Sequence, residues 1–416
     1  MIIRALYTGI SGIRTNQTAI DVTADNISNV NTIGYRGYST EFASLYEQSI
    51  DTAARSSSSS IGAGVRVQTT NMTQFTGSKI LTDRNTDLSI NGDGWFGVTN
   101  DASTQFTRAG NFKFDVNSDL VTDDGFFVLG TKAGNINDGT LTSVVDDVLL
   151  GDVNTQEKLR FPKTLTFPPE PTTTTDFFGN LGLEDTPRSL SSTVVDPQNN
   201  KNNLQLVFNK SAVQVAPGIQ WDVVATTKSA DGVTLYDTQT GLLNFDEDGA
   251  LLSDTLGTIN NNGTDININL GAKYEGITST NSKISGSSSV NGTIGGDLIG
   301  YEINRNAEVI ATFTNGAQSS VGKIALYHFP NDAGLSRING VKFEKSSNSG
   351  DAIFYKNAAG ENILGATVNN FNLENSNIKL ETALTELIIL QRSYDANSKT
   401  ISAANEMMQK ALQMDA

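Results

Sequence analysis

Apolar residues recur at alternating steps of four and three at both ends of the chain. From the N-terminus, Leu6, Ile10, Ile13, Gln17, Ile20, Ala24 and Ile27 follow the spacing of a and d sites in a coiled coil. Near the other end, Leu380, Leu384, Leu387, Gln391, Tyr394, Ser398, Ile401, Asn405, Met408 and Leu412 repeat the pattern over a longer run. Two heptad-patterned helices are therefore predicted, within residues 1–35 and 375–416. Neither seam is wholly apolar: Gln17 and Ala24 interrupt the first, and Gln391, Ser398 and Asn405 the second. Polar residues at such sites cost stability and set register and partner choice instead. The same pattern fits one intramolecular helical hairpin or a seam shared between copies. Gly9 and Gly12 weaken the first helix by roughly 1 kcal/mol each against alanine.

The stretch Asn31-Thr32-Ile33-Gly34-Tyr35 reads as a helix stop. Gly34 can take the left-handed conformation that ends a helix, and Tyr35 then sits where a hydrophobic contact back onto Val30 is expected. Residues 36–70 read as a connecting joint. Tyr38, Phe42, Leu45 and Tyr46 keep helical spacing for one or two turns, and the five serines Ser56 to Ser60 cannot bury anything.

Between about 71 and 374 the pattern becomes that of strands. Leu88-Ser89-Ile90 leads into Asn91-Gly92, a hairpin signal, and Trp95-Phe96-Gly97-Val98 resumes a strand. Four of the eight prolines, Pro162, Pro168, Pro169 and Pro171, mark a stiff boundary. Beyond it come the strand-like runs Leu204–Phe208, Ile219–Val224 and Ile266–Leu270, with an acidic hairpin at Asn244–Leu252. The runs Val309–Gly316 and Gly322–Tyr327 form a further hairpin-like pair. The predicted fold class is α+β: terminal helices forming a coiled-coil-like domain, with two mainly antiparallel β-domains. The first β-domain is expected at 71–148 and 293–374, and the second, 149–292, is inserted in it.

Charge and composition narrow the functions. Lys plus Arg number 29 against 45 Asp plus Glu, so a net charge of −16 argues against a nucleic-acid partner. Cysteine is absent, which removes disulfides and thiolate metal sites. No apolar run reaches membrane-spanning length, and the N-terminus lacks a basic leader with an apolar core, so neither membrane insertion nor a cleaved signal peptide is expected. No cofactor or metal site is expected either. Gly92, Gly94 and Gly97 spell a dinucleotide fingerprint, but no amphipathic helix follows. Asp115, Asn117 and Asp119 open like a calcium loop, yet Leu120 and Phe126 stand where Gly and Glu are needed. Gly316 to Gly322-Lys323 misses phosphate-loop spacing by one residue. The single histidine, His328, reads as a packing residue, so the chain is not expected to be an enzyme.

Two stretches carry a family resemblance. Asn26-Ile27-Ser28-Asn29-Val30-Asn31-Thr32-Ile33-Gly34-Tyr35-Arg36 resembles the signature closing the N-terminal helix of the rod and hook family of bacterial flagellar axial proteins. Leu373–Ile378 followed by Glu386–Asn397 resembles the same family's C-terminal signature, and Ile90–Phe96 with Phe106–Asp115 its first β-domain motif. The resemblance implies a structural subunit of the flagellar hook. Such a subunit would self-assemble through its terminal helices into a hollow flexible tube that carries motor torque to the filament. A distal rod subunit is the alternative, disfavoured by the large inserted domain and by a hook-like stretch at 309–335. It further implies a homopolymer in contact with distal rod, hook cap and hook–filament junction proteins, reached through the type III export apparatus without a cleaved signal, and located in the extracellular hook. The assembly interface would then comprise Leu6, Ile10, Ile13, Ile20, Ile27, Leu384, Leu387, Tyr394, Ile401, Met408 and Leu412, with Asn31, Gly34 and Tyr35 as the helix stop.

Overall fold

The computed structural model describes residues 2–45, 48–49, 60–61 and 63–414. The expectations attached to Tyr46 and to Ser56–Ser59 lie outside the described residues.

Two long helices occupy the ends, α1 at Ile2–Ser28 and α2 at Leu380–Met414. Neither contains proline, and α2 carries Glu381 in its first turn, where a negative charge favours the helix dipole. At the end of α1, Ser28 Oγ donates to the Ala24 carbonyl at 2.9 Å and Asn29 Nδ2 to that of Asp25 at 2.9 Å. The two helices pack against each other within the single chain.

The joint is a β-ribbon rather than a helical turn. Tyr38–Ser44 pairs antiparallel with Val65–Met72, with a bulge at Glu41/Phe42. The helical spacing of Tyr38, Phe42 and Leu45 is overridden because alternate residues of the ribbon turn towards α1 and away from it, a period of two. Tertiary pairing decides such short segments more than intrinsic preference does.

Most of the remaining strands build two cores. A 15-stranded sheet system surrounds the first, which buries Leu88, Ile90, Trp95, Phe96, Phe112, Phe313, Ile324 and Phe343. Aromatic pairs meet edge to face there, Trp95 with Phe343 at 4.9 Å and Phe96 with Phe112 at 5.1 Å. A second core is shared by two five-stranded sheets, a meander from Arg188–Val195 to Leu251–Asp254 and a sheet built on Thr174–Asn180. Alternate residues of Lys201–Lys210 point inward, so Leu204, Leu206 and Phe208 meet Phe177, Trp221 and Ile266. The fold is α+β with mainly antiparallel sheets; Thr174–Asn180 makes parallel pairs with Thr264–Asn269 and Ile277–Thr278.

Local signals map unevenly onto this architecture. The acidic stretch at 244–252 is a hairpin, with Phe245 opposite Leu251. Glu308–Phe313 and Gln318–Ile324 likewise pair antiparallel. The Asn91-Gly92 turn joins strands that do not pair: Leu88–Asn91 bonds instead to Thr367–Asn370. Gly92 and Gly94, at φ 118° and 126°, carry the chain out of one sheet and into another. A side chain at Gly94 would also press on the His328 ring. Around Asp115 the loop is an Asx turn, its carboxylate accepting from the Asn117 and Asp119 N–H groups at 2.8 Å each. Leu150, Leu159, Phe161, Leu165 and Phe167 lie in the first core, so the chain crosses into the second only after Phe167, later than residue 149. Short strands such as Glu157–Lys158 and Thr166–Phe167 hold that segment to the first sheet, a pairing that has no local sequence signal.

Candidate assembly interface

The faces that α1 and α2 turn to each other differ from the heptad seams. On α1 the buried positions are Gly9, Gly12, Thr15, Ala19, Thr23 and Asn26; Gly9 and Gly12 meet α2, while Thr15 and Asn26 bond the ribbon at Val65 and Tyr38. On α2 they are Ala383, Leu390 and Ala404, with Leu387, Asn397, Ile401 and Met408 half-buried on the same face. A methyl group at Gly9 would lie 2.7 Å from Ile401 Cγ1, and one at Gly12 the same distance from Asn397 Oδ1. The glycines that weaken α1 as an isolated helix are thus what lets α2 approach it.

The residues expected to form the seam are distributed unequally. Leu387, Ile401 and Met408 lie on the side of α2 that meets α1. Leu6, Ile10, Ile13, Ile20 and Ile27 flank the buried positions of α1 and remain half-buried. Leu384, Tyr394 and Leu412 are exposed, at 43%, 37% and 69%. Ile388 and Ile389 on α2 and Ile3 and Tyr7 on α1 are more than half exposed as well. A single chain therefore leaves apolar side chains uncovered at several places on a helix pair whose inner face is already satisfied.

Polar contacts tie this pair to the rest of the molecule. Asn26 bonds the Tyr38 backbone twice, donating to its carbonyl at 2.7 Å and accepting from its N–H at 3.0 Å. Asn377, just before α2, accepts from the Gly37 N–H at 2.9 Å and donates to the carbonyls of Thr73 and Phe75. At the centre, Glu374 is 2% exposed and pairs with Arg36 at 3.0 Å and Arg108 at 3.3 Å. The Gly77 N–H donates to the same carboxylate, and the Gly34 N–H to the Glu374 carbonyl at 2.8 Å. Burial, aided by the neighbouring Arg108 charge and opposed by Glu374, pushes Arg36 down to about 10. Burial lowers Arg108 also.

Asn31 is exposed, beyond the helix end at Ser28. Gly34, at φ 68°, sits in a turn where any side chain would collide with the Ala109 backbone, so it joins the terminal unit to the first β-core. Tyr35 is buried, and its hydroxyl donates to Asp25 at 3.1 Å. Burial pushes its hydroxyl up to about 12. Arg337 closes this corner from the β-side, 2.9 Å from the Asp25 carboxylate with its guanidinium 4.9 Å from the Tyr35 ring. Sequence reasoning missed the buried face of α1, Glu374, Arg108 and Arg337. The steps of three and four from Gly9 through Gly12, Thr15, Ala19 and Thr23 were a legible signal for the first; the ion pairs join residues far apart in the chain and had none.

The paired terminal helices and the first β-core are the parts of the chain to which models of flagellar axial proteins match. Family models match accordingly: "Flagella basal body rod protein" at residues 6–36, "Flagellar hook protein FlgE/F/G D1 domain" at 89–162, and "Flagellar basal body rod FlgEFG protein C-terminal" at 370–414. The chain is 30% identical over 425 residues to the flagellar hook protein FlgE of Brucella suis, covering 97% of this chain and 96% of that one. It is 26% identical to FlgE of Borreliella burgdorferi, with 99% of each chain covered, and 27% identical to that of Salmonella typhimurium, with 96% and 97% covered. A crystal structure of the Helicobacter pylori flagellar hook protein FlgE2 shares the fold at a TM-score of 0.54 and 16% identity, covering 71% of this chain and 100% of that one. The chain belongs to the flagellar hook protein family, and its place is that of a hook subunit rather than a rod subunit. Among the described residues, no helix is long and apolar enough to cross a membrane.

Proposed function

We propose that this subunit polymerises through its terminal helix pair into a hollow, bendable tube of the flagellar hook that passes motor torque to the filament. The supporting observation is that Leu384, Ile388, Ile389, Leu412, Ile3 and Tyr7 stay exposed on helices already packed on their inner face. Covering the exposed part of each such side chain is worth roughly 1 kcal/mol. Six of them together only match the cost of immobilising a partner, about 4–15 kcal/mol. Contact with one neighbour is therefore marginal, and contact with several at once is favourable, which is the energetics of a polymer rather than a dimer.

This reading divides the chain into a terminal helical unit, a joint, and two β-units, the second inserted in the first. In it Leu384, Tyr394 and Leu412 would face neighbouring copies, Leu387, Ile401 and Met408 would brace α2 on α1 of the same chain, Leu6, Ile10, Ile13, Ile20 and Ile27 would flank that contact, and Asn31, Gly34 and Tyr35 would form its boundary. No residue is assigned to catalysis. Neighbours at the ends of the tube would be the distal rod, the hook cap and the hook–filament junction, reached by type III export. Removing residues 380–416 tests the reading: soluble β-cores without tubes are expected by electron microscopy, and tubes formed by the truncated chain would refute it.

A further inference from the structure

The chain holds five Asn-Gly pairs, at Asn91, Asn262, Asn291, Asn315 and Asn339. Glycine offers the least steric shielding to its own backbone nitrogen, so each pair is open in principle to cyclisation. That step needs a free side-chain amide and an unengaged glycine N–H.

Four of the pairs are restrained. Asn91 accepts from Lys79 Nζ at 3.2 Å and donates to Thr367 at 3.5 Å. Asn262 donates to Asp196 and Gln198, and the following Gly263 N–H is taken by Asn260. The Asn291 side chain accepts from two backbone N–H groups and donates to Thr173. Asn315 donates to the Ile294 carbonyl at 2.7 Å and accepts from the Ala317 N–H, while the Gly316 N–H bonds to Phe313. Asn339 differs. It is exposed at the end of the strand Ser336–Asn339, with Gly340 at φ 50° in the turn that follows. Among the described residues, nothing bonds its side-chain amide and nothing accepts the Gly340 N–H.

We propose that Asn339 is a modification site, the pair at which this chain converts first to aspartate and isoaspartate, and that conversion there loosens the Arg337 clamp on α1. The Gly340 nitrogen bonds to Asn339 Cγ as its proton leaves to solvent, and the Cγ–Nδ2 bond breaks to release ammonia. Water then opens the cyclic imide at either carbonyl, giving aspartate or isoaspartate. The isoaspartyl product adds a methylene to the main chain of a tight turn. That turn carries the Gly340 carbonyl, which accepts from Arg337 Nε at 2.9 Å and so helps aim the guanidinium at Asp25 and Tyr35. Lengthening it displaces the clamp.

The test incubates the full chain at mildly alkaline pH, then digests it with trypsin, which releases Ile338–Lys342 as its own peptide. The mass gain of an amide-to-acid change, and label from an isoaspartyl methyltransferase, are expected in that peptide several-fold sooner than in the other four. In denaturant the five should convert at similar rates, because the fold makes the selection. Another pair keeping pace in the folded chain, or Asn339 leading equally in denaturant, overturns the site. Amide exchange across residues 25–35 should quicken in the aged chain but not in aged Asn339→Gln. Unchanged exchange after conversion overturns the effect on the clamp.

Discussion

Glu374→Gln keeps the size and shape of the side chain at the centre of the junction, removes its charge and turns one of its two acceptor oxygens into an N–H donor. Two guanidiniums, on Arg36 and Arg108, then lie buried at 4% and 3% exposure without an ion-pair partner, with only the charges of Asp93 and Asp332 acting on them from further off. Both keep neutral acceptors, Arg36 the carbonyl of Gln74 at 3.1 Å and Arg108 that of Gly92 at 3.0 Å, so hydrogen bonding is partly preserved. Charge compensation is not. Removing one partner of a buried ion pair costs about 3–5 kcal/mol, and here one carboxylate serves two cations, which places the expected loss at the upper end. Against a typical total of roughly 5–15 kcal/mol this is a large share. Trp95 reports the transition directly, since its ring lies 5.6 Å from the Arg108 guanidinium; a Trp221→Phe background removes the signal of the second core. Urea unfolding followed by Trp95 fluorescence should show the midpoint falling sharply, and salt should not restore it. Adding Arg108→Leu should recover part of the loss by removing an uncompensated charge. A change below about 1 kcal/mol, the range of exposed pairs, would show that the cluster is hydrated and refute the reasoning.

Gly9→Leu with Gly12→Leu raises the helix propensity of α1 by about 1 kcal/mol per site, yet should separate α1 from α2, because even a methyl at either site reaches 2.7 Å from Ile401 or Asn397; cross-linking between engineered cysteines on the two helices would read this, the native chain having none. Replacing 172–291 by a few glycines should leave the first core folded, since Glu170 and Thr293 bond to each other at 2.8 and 2.9 Å and bring the cut ends together; loss of the Trp95 transition would contradict this. Burial holds His328 below its ordinary value while its ring nitrogen contacts the Leu364 carbonyl at 2.6 Å. Stability from this group is therefore complete above about pH 6.5 and lost as pH falls below it, the unfolded chain taking the proton first; His328→Gln should flatten that part of the urea midpoint profile.

Local periodicity and contiguous residues were enough to reveal the two terminal helices, the β-character of the middle, the acidic hairpin at 244–252 and the family. Contacts between distant segments settled the rest. The heptad seams located α1 and α2, although α1 ends at Ser28, ahead of the expected stop at Asn31–Tyr35; which face of each turns inward depends on where Ile401 and Asn397 find room, and Gly9 and Gly12 offer it. Helical spacing at Tyr38, Phe42 and Leu45 yielded to a ribbon because a partner strand, Val65–Met72, lies more than twenty residues away and supplies the hydrogen bonds. Likewise Asn91-Gly92 could not show that Leu88–Asn91 would choose Thr367–Asn370 over its neighbour. The Glu374 cluster joins residues 36, 108 and 374, and an ion pair across such separations exists only once the chain has closed on itself.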